Sequence, residues 1–239
     1  MTGMRYLALA TDYDGTLASH GAVDRETVEA LKRLVATGRK LILVTGRQIE
    51  DLERVFPEVV MFDRVVAENG PVLYRPASGE IRVIAEPPPS SFVDALKVQG
   101  VEPLSIGHVV VATVEPNDTT VIEVIRELGL ELQVILNKGS VMVLPTSVDK
   151  ATGLAEALKE LSLSAQNVVG IGDAENDLTF LAMCGRGVAV ANSLDAVKQR
   201  ADYVTQGRSS AGVREVIDLL VSDDLRSLDG AAAIVRPGR

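Results

Sequence analysis

Tryptophan is absent from this 239-residue chain, cysteine occurs once, histidine twice, and aromatic residues make up only 3% of the whole. With one cysteine, Cys184, no intrachain disulfide framework can form; the residue reads as a small buried hydrophobe and suits a reducing compartment. His20 and His108 have no partner at metal-ligand or triad spacing, so both read as ordinary residues. Few aromatics leave few platforms for stacked bases, and a net charge of -9 with a pI near 4.8 opposes a surface that tracks polyphosphate. Nucleic acid is therefore not an expected partner. No run of about 18 apolar residues is present, and the opening MTGMRYLALA lacks the long apolar core and cleavage site of a signal peptide. These absences predict a cytoplasmic protein with no membrane partner. The acidic surface reads as solvation. Nothing in the pattern sets an oligomeric state.

What the chain does have is hydrophobic content of 46%, ample for a sizeable core, in an alternation of strand-like and helix-like segments. Tyr6–Ala10 is an apolar run that ends in Asp12, Asp14, Gly15 and Thr16. Asp24 can cap a helix whose Val28, Leu31, Leu34 and Val35 share a face, and Gly38 stops it. KLILV at 40–44 ends in Thr45, Gly46 and Arg47, and a third strand around Arg64–Ala67 runs into Glu68, Asn69 and Gly70. This order predicts an α/β fold with a Rossmann-like parallel sheet, helices on both faces and ligands at the carboxyl ends of the strands.

Between Pro71 and Pro145 the rhythm becomes that of a mixed α+β unit, with a turn at Asn137, Lys138 and Gly139. The parallel pattern returns with a helix through Leu154, Leu158 and Leu161. NVVGIGD at 167–173 follows as a strand, then GVAVAN, a helix opened by Ser193, a short strand at Asp202–Thr205, and a helix through Val213, Val216 and Leu220. The predicted organisation is a core of residues 1–70 and 146–221, an inserted α+β unit at 71–145, and a weakly patterned tail or linker at 222–239.

Parallel strands present their carboxyl ends on one edge, so Asp12, Asp14, Thr45, Gly46, Asp173, Asn176 and Asp177 should converge on a single crevice, with Lys150 joining from the start of its helix. Such a set of hard oxygen donors suits Mg²⁺. Beside a bound phosphate, Asp12 can attack phosphorus and form an aspartyl-phosphate, and Asp14, two residues on and on the same side, can serve as general acid and base. Gly15 lets the chain turn close to the phosphate with free backbone N–H groups, while Thr45 and Lys150 can hold phosphoryl oxygens. Taken singly, Asp14 or Asp173 reads as readily as a turn or helix cap, Thr45 and Gly46 as a strand-to-helix turn, Lys150 as a solvated lysine, and Arg47 as a structural ion-pair donor. Glu68, Asn69 and Gly70 read equally as a tight turn or part of a hinge.

DYDGT at 12–16, VTGR at 44–47, Lys150 within PTSVDKATGL and GDAENDL at 172–178 together resemble the four motifs of the haloacid dehalogenase (HAD) superfamily of phosphohydrolases. The insertion between the second and third motifs, with AENG at 67–70, is similar to the Cof-like branch with a C2B-type cap. That branch includes sugar phosphatases and archaeal-type phosphoglycolate phosphatases, and the short cap leans toward the latter. The resemblance implies a phosphatase acting on a small phosphorylated metabolite. It also implies Mg²⁺ held by the Asp12 and Asp173 side chains and the Asp14 backbone carbonyl, with Asp177 as a direct or indirect ligand and Asn176 orienting phosphate or water. Tyr13, where many relatives carry a small or aliphatic residue, is expected to pack on the far side of its strand. A phosphotransferase or phosphomutase would use the same intermediate. A receiver-like signalling module would need its aspartate on a middle strand and no cap. Substrate selection is expected from cap residues between Glu86 and Asn137.

Overall fold

Strands buried on both faces need apolar residues at successive positions, and the central strands have them. In the computed structural model, which describes residues 3–229, the first is β1 (Ala8–Thr11). After it come α1 (Arg25–Ala36), β2 (Lys40–Val44), α2 (Ile49–Val55), β3 (Arg64–Ala67), β4 (Val72–Arg75) and β5 (Glu80–Val83). A separate unit contains α3 (Ser90–Val98), β6 (Ser105–Ile106), β7 (Val111–Val114), α4 (Asp118–Glu127), β8 (Leu132–Asn137) and β9 (Ser140–Pro145). The chain then returns through α5 (Lys150–Glu160), β10 (Val168–Gly172), α6 (Leu178–Met183), β11 (Arg186–Ala189), α7 (Asp195–Lys198), β12 (Tyr203–Val204) and α8 (Ser209–Asp223).

Eight strands form one sheet in the order β12-β11-β10-β1-β2-β3-β4-β5, parallel from β12 to β3. Because strand side chains alternate, Leu9, Leu41 and Leu43 enter the core shared with α1 and α8, while Ala8, Ala10, Ile42 and Val44 enter the core shared with α5 and α6. Asp24 caps α1 by accepting from the Thr27 N–H at 2.7 Å, as its position before the apolar helix face predicts. Tyr13 is fully buried against Phe56, with 5.7 Å between ring centroids, which is the packing expected of it. Among the described residues no helix is long and apolar enough to cross a membrane.

The smaller unit is a four-stranded antiparallel sheet, β6-β7-β9-β8. Its Val111, Val141 and Val143 face α3 and α4, packing with Phe92, Leu96, Val121 and Val124. The period of two then turns Ala112, Ser140 and Met142 the other way, over the carboxyl ends of the large sheet.

Three expectations differ from this arrangement. The insertion does not begin at Pro71, because β4 and β5 pair antiparallel onto β3 and extend the large sheet. β5 is an edge strand exposed at all four positions, so its Ile81 and Val83 mark no second core. Ser193 does not cap a helix: its hydroxyl donates to the Gly172 carbonyl at 3.0 Å, and α7 starts after Leu194. Nor is 222–229 a loose tail, since Asp224 and Leu225 are buried; residues 230–239 lie outside the described residues.

Asp224 ends α8 in a left-handed conformation and fastens the amino-terminal strand. It accepts from the backbone N–H of Arg5 at 2.6 Å and of Tyr6 at 3.4 Å, and pairs with the buried Arg39 guanidinium at 2.8 Å. Burial alone would raise its pKa, but the Arg5 N–H, Arg39 and the Tyr6 N–H outweigh burial and hold it below 3.8. A lowered folded-state pKa gives stability that is present above the unfolded value and lost as pH falls. Asp224→Asn, which tolerates the left-handed backbone, should cost about 2–3 kcal/mol at neutral pH in urea denaturation. The gap to wild type should close as pH falls below about 4, and a gap undiminished at about pH 3 would refute the linkage.

Candidate active site

Asp12 follows β1 directly, and its N–H donates to the Ile171 carbonyl at 2.9 Å, so the end of β1 is tied to β10 and through it to Asp173. The helix start that supplies Lys150 is fixed by reciprocal caps: Asp149 accepts from the Thr152 N–H at 2.8 Å, and the Thr152 hydroxyl accepts from the Asp149 N–H at 2.8 Å. This helix end lies hard against the loop after β3. A Cβ on Gly70, whose φ is +130°, would lie 2.0 Å from the Asp149 carbonyl, and one on Gly153 would lie 2.4 Å from that of Gly70. The close approach brings the Lys150 ammonium between two carboxylates, 2.7 Å from Asp12 Oδ1 and 2.6 Å from Asp177 Oδ1, and the side chain is 2% exposed.

Asp177 is fully buried and also accepts from the backbone N–H groups of Asp173 and Ala174 through its other oxygen, at 2.8 and 3.0 Å. One carboxylate thus orients Lys150 and shapes the loop that bears Asp173. Oxygens of Asp12, Asp173 and Asp177 lie within 4.8 Å of one another, a grouping able to hold a metal ion. Three buried carboxylates around one buried ammonium leave an excess of two negative charges. Burial first, and then the neighbouring charge of Asp177, push the Asp12 pKa well above the carboxylate range despite the pull of Lys150. Burial likewise raises Asp173, opposed by Lys138. For Lys150, burial would lower the pKa, and the charges of Asp12 and Asp177 reverse it, so the ammonium persists.

Asp14 points away from this trio. Its carboxylate receives both Nε and Nη2 of Arg47 at 2.8 Å, and Arg47 also pairs with Asp51 and lies over the Tyr13 ring at 5.1 Å. What Asp14 turns toward Asp173 is its backbone carbonyl. The ammonium of Lys138, from the tight turn between β8 and β9, donates to that carbonyl at 2.6 Å and to Asp173 Oδ2 at 2.9 Å. The donors at this point are a carboxylate and a carbonyl already holding a cationic group, with Asp12 and Asp177 alongside. Hard, uniformly oxygen donors, with carboxylates still in excess after Lys150 and Lys138 are counted, fit a divalent cation.

Gly15 turns the chain as expected, at φ +86°, and any Cβ there would lie 2.4 Å from Asp173 Oδ2. Its N–H is not free, however: it donates to Ala18 at 3.0 Å and closes a small loop. Thr45 is fully buried at the end of β2, and its hydroxyl accepts from the Arg47 N–H at 3.1 Å, which leaves its own proton to give. Gly46, Asp12, Asp14, Arg47 and Lys150 line one cavity of about 430 Å³, roofed from the cap by Ser105, Ala112, Ser140 and Met142. Asn176 lies to the side, donating to Asn69 Oδ1 at 2.9 Å, with its own Oδ1 buried and unpartnered. It lines a second cavity of about 720 Å³ together with Asp173 and Lys138.

Sequence reasoning missed three contributors. Thr16 donates to Asp173 Oδ1 at 3.3 Å, and Lys138 lies one residue beyond the stretch expected to select substrate. Glu68, which read as turn or hinge, lies in a turn at φ +55°, is fully buried, and accepts the backbone N–H groups of His108, Val109 and Val110 at 2.9, 2.8 and 2.7 Å. A core carboxylate thereby holds the cap backbone. The period-two pattern of β7 and β9 could have singled out Ala112, Ser140 and Met142 as the crevice face; no local signal marks Glu68 or Lys138.

A sequence profile of the haloacid dehalogenase-like hydrolases matches residues 9–100 and 129–217, which include all four strand-end motifs. The chain belongs to that family. This hydrolase is 30% identical over 220 residues to a phosphoglycolate phosphatase of Methanothermobacter thermautotrophicus, covering 88% of this chain and 96% of the relative. It is 28% identical over 224 residues to the phosphoglycolate phosphatase of Methanoculleus marisnigri, covering 87% and 94%. Among solved structures, a haloacid dehalogenase-like hydrolase from Bacteroides thetaiotaomicron superposes with a TM-score of 0.79 at 21% identity, over 90% of this chain and 99% of the other. That likeness concerns the fold.

The Glu68 clamp makes a testable statement about how the hydrolase keeps its cap in place. In Glu68→Gln one oxygen becomes an NH₂ donor facing the cap N–H groups, which should cost about 2 kcal/mol and free those amides. Hydrogen exchange at His108, Val109 and Val110 should accelerate relative to Val141 and Val143 inside the cap; equal protection in both proteins would remove the clamp.

Proposed function

We propose that this hydrolase cleaves a small phosphomonoester, phosphoglycolate in the first place, through an aspartyl-phosphate on Asp12, with Mg²⁺ as cofactor. The observation that carries the reading is the position of Asp12, at the floor of a cavity of about 430 Å³, with Oδ1 fixed by a buried lysine and Asp14 on the same wall. The cationic Arg47, Lys138 and Lys150 in the lining favour an anion, and the relatives named phosphoglycolate phosphatase support that choice among phosphate esters.

Lys150 holds Oδ1 of Asp12, so the other carboxylate oxygen is the one directed to attack. That oxygen forms a bond to phosphorus as the bond from phosphorus to the ester oxygen breaks, and Asp14 delivers a proton to the departing oxygen. Asp14 then takes a proton from water, whose oxygen attacks phosphorus; the bond to Asp12 breaks and inorganic phosphate leaves. Both oxygens of Asp14 are taken by Arg47 in the structure, so Asp14 must leave that pair to reach the ester oxygen and then the water. The Thr45 proton and Lys150 stabilise phosphoryl oxygens, and Asn176 orients phosphate or water from the side. Asp12, Asp173, the Asp14 carbonyl and Asp177, directly or through water, would hold Mg²⁺, which when bound offsets the charge of the phosphoryl group against the surrounding carboxylates.

Phosphate release should be measured with Mg²⁺ over a panel of phosphoglycolate and sugar phosphates. Wild type should turn over phosphoglycolate best, Asp12→Asn should lose about a thousandfold or more in kcat while remaining folded, and EDTA should abolish activity reversibly. Release by Asp12→Asn at the wild-type rate would sink the nucleophile assignment, and indifference to EDTA would sink the cofactor.

A further inference from the structure

Lys138 occupies an unusual place for a lysine. It and Gly139 are the two residues of the turn joining β8 to β9, where Asn137 pairs with Ser140. Both have positive φ, +52° and +83°. Two-residue turns of this kind favour Asn, Asp or Gly at the first position, since a lysine pays a steric penalty in the left-handed region. An ordinary turn would gain nothing from that choice. Here the side chain reaches from the cap across to the core, where its ammonium meets the Asp14 carbonyl and Asp173 Oδ2. It lines both the 430 Å³ and the 720 Å³ cavities and stands between them.

Three cationic side chains line the smaller cavity: Arg47, Lys138 and Lys150. Arg47 is committed to Asp14 and Asp51, and Lys150 to Asp12 and Asp177. Lys138, half exposed, is held only by the carbonyl and carboxylate that a divalent cation would claim. A divalent cation on those oxygens would lie within a few ångströms of the ammonium and repel it, so a metal arriving there displaces the ammonium, and the tether of the turn keeps it within the crevice. Of the three cations, it alone is then left without an anion.

We propose that Lys138 is the specificity-determining residue through which the cap reads a second anionic group, a carboxylate, on the substrate, and that the metal ion frees it for this task. The inference rests on the phosphomonoesterase reading above. Lys138 joins the cap turn to the Asp14 carbonyl and Asp173; displaced from these oxygens by a divalent cation, the same ammonium would pair with the end of the substrate remote from phosphate. Selectivity for a short phosphorylated acid then comes from one side chain whose alternative partners are the metal's own ligands.

The test compares wild type with Lys138→Gln in two ways. Calorimetric titration with Mn²⁺ in the absence of substrate should show about tenfold tighter binding by Lys138→Gln, since the internal competitor is gone. Steady-state kinetics with Mg²⁺ should compare phosphoglycolate with 2-hydroxyethyl phosphate, which lacks the carboxylate. Wild type should prefer phosphoglycolate, and Lys138→Gln should raise KM for that ester alone by about tenfold or more. Equal Mn²⁺ affinity, or a preference unchanged in the variant, overturns the role of Lys138 while leaving the phosphatase intact. If wild type cleaves neither ester but releases phosphate from a sugar phosphate, the choice of a short phosphorylated acid fails and this assignment falls with it; release from no ester at all sinks the phosphomonoesterase reading itself.

Discussion

The Lys150 ammonium, buried between Asp12 and Asp177, is the interaction on which the other parts of the site depend. Removing charges from water is costly unless they are paired and hydrogen-bonded, and one lysine here serves two carboxylates where β1, α5 and the loop after β10 meet. Asp177 spends its second oxygen on the loop that presents Asp173. The ion pair therefore positions Asp12 and, through Asp177, the loop of Asp173 by the same contact. The tight glycine approaches at Gly70 and Gly153 exist because the lysine's helix must start this close to the sheet.

A pairing that leaves carboxylates in excess is incomplete. Burial and mutual repulsion raise Asp12 and Asp173, which are held with fewer cations than they need. An excess of this kind is what a cation-binding centre requires, and it places the cap in a defined relation to the core. Lys138 supplies a positive charge from above while Glu68 grips the cap backbone from below. Neutral hydrogen bonds of the same number would hold the two parts together without responding to an incoming ion.

Much of this was legible in the sequence because the parallel strands are short apolar runs that each end in a polar residue, and their carboxyl ends must share an edge. Asp12 and Asp173 follow from that topology, whereas Lys150, at a helix start, stood out only in their company. The position of Asp14 followed too, but not the turning of its side chain toward Arg47, which comes from the loop after β2. The limits of the insertion were misplaced because an antiparallel edge strand with exposed Ile81 and Val83 looks locally like a strand of any sheet. The fastening of Asp224 escaped notice because a left-handed helix end leaves no hydrophobic pattern, and its partner Arg39 lies 185 residues away. Lys138 and Glu68 act across the junction of cap and core, and no periodicity within either segment registers a contact of that kind.

The pairing of β1 with β10 also has a consequence for the order in which the protein comes into being. These strands sit side by side, yet Ala8 faces Val168, so the centre of the sheet is closed by a segment made long after the first. On a ribosome β1 waits, with a vacant edge, until residue 172 has emerged. The cap, whose strands and helices all lie between Ser90 and Pro145, can fold meanwhile from contacts close in sequence. A nascent chain cut short before β10 would hold a finished lid and an unfinished floor, and acquires Asp173 and Asp177 only in the same final stretch that completes its sheet.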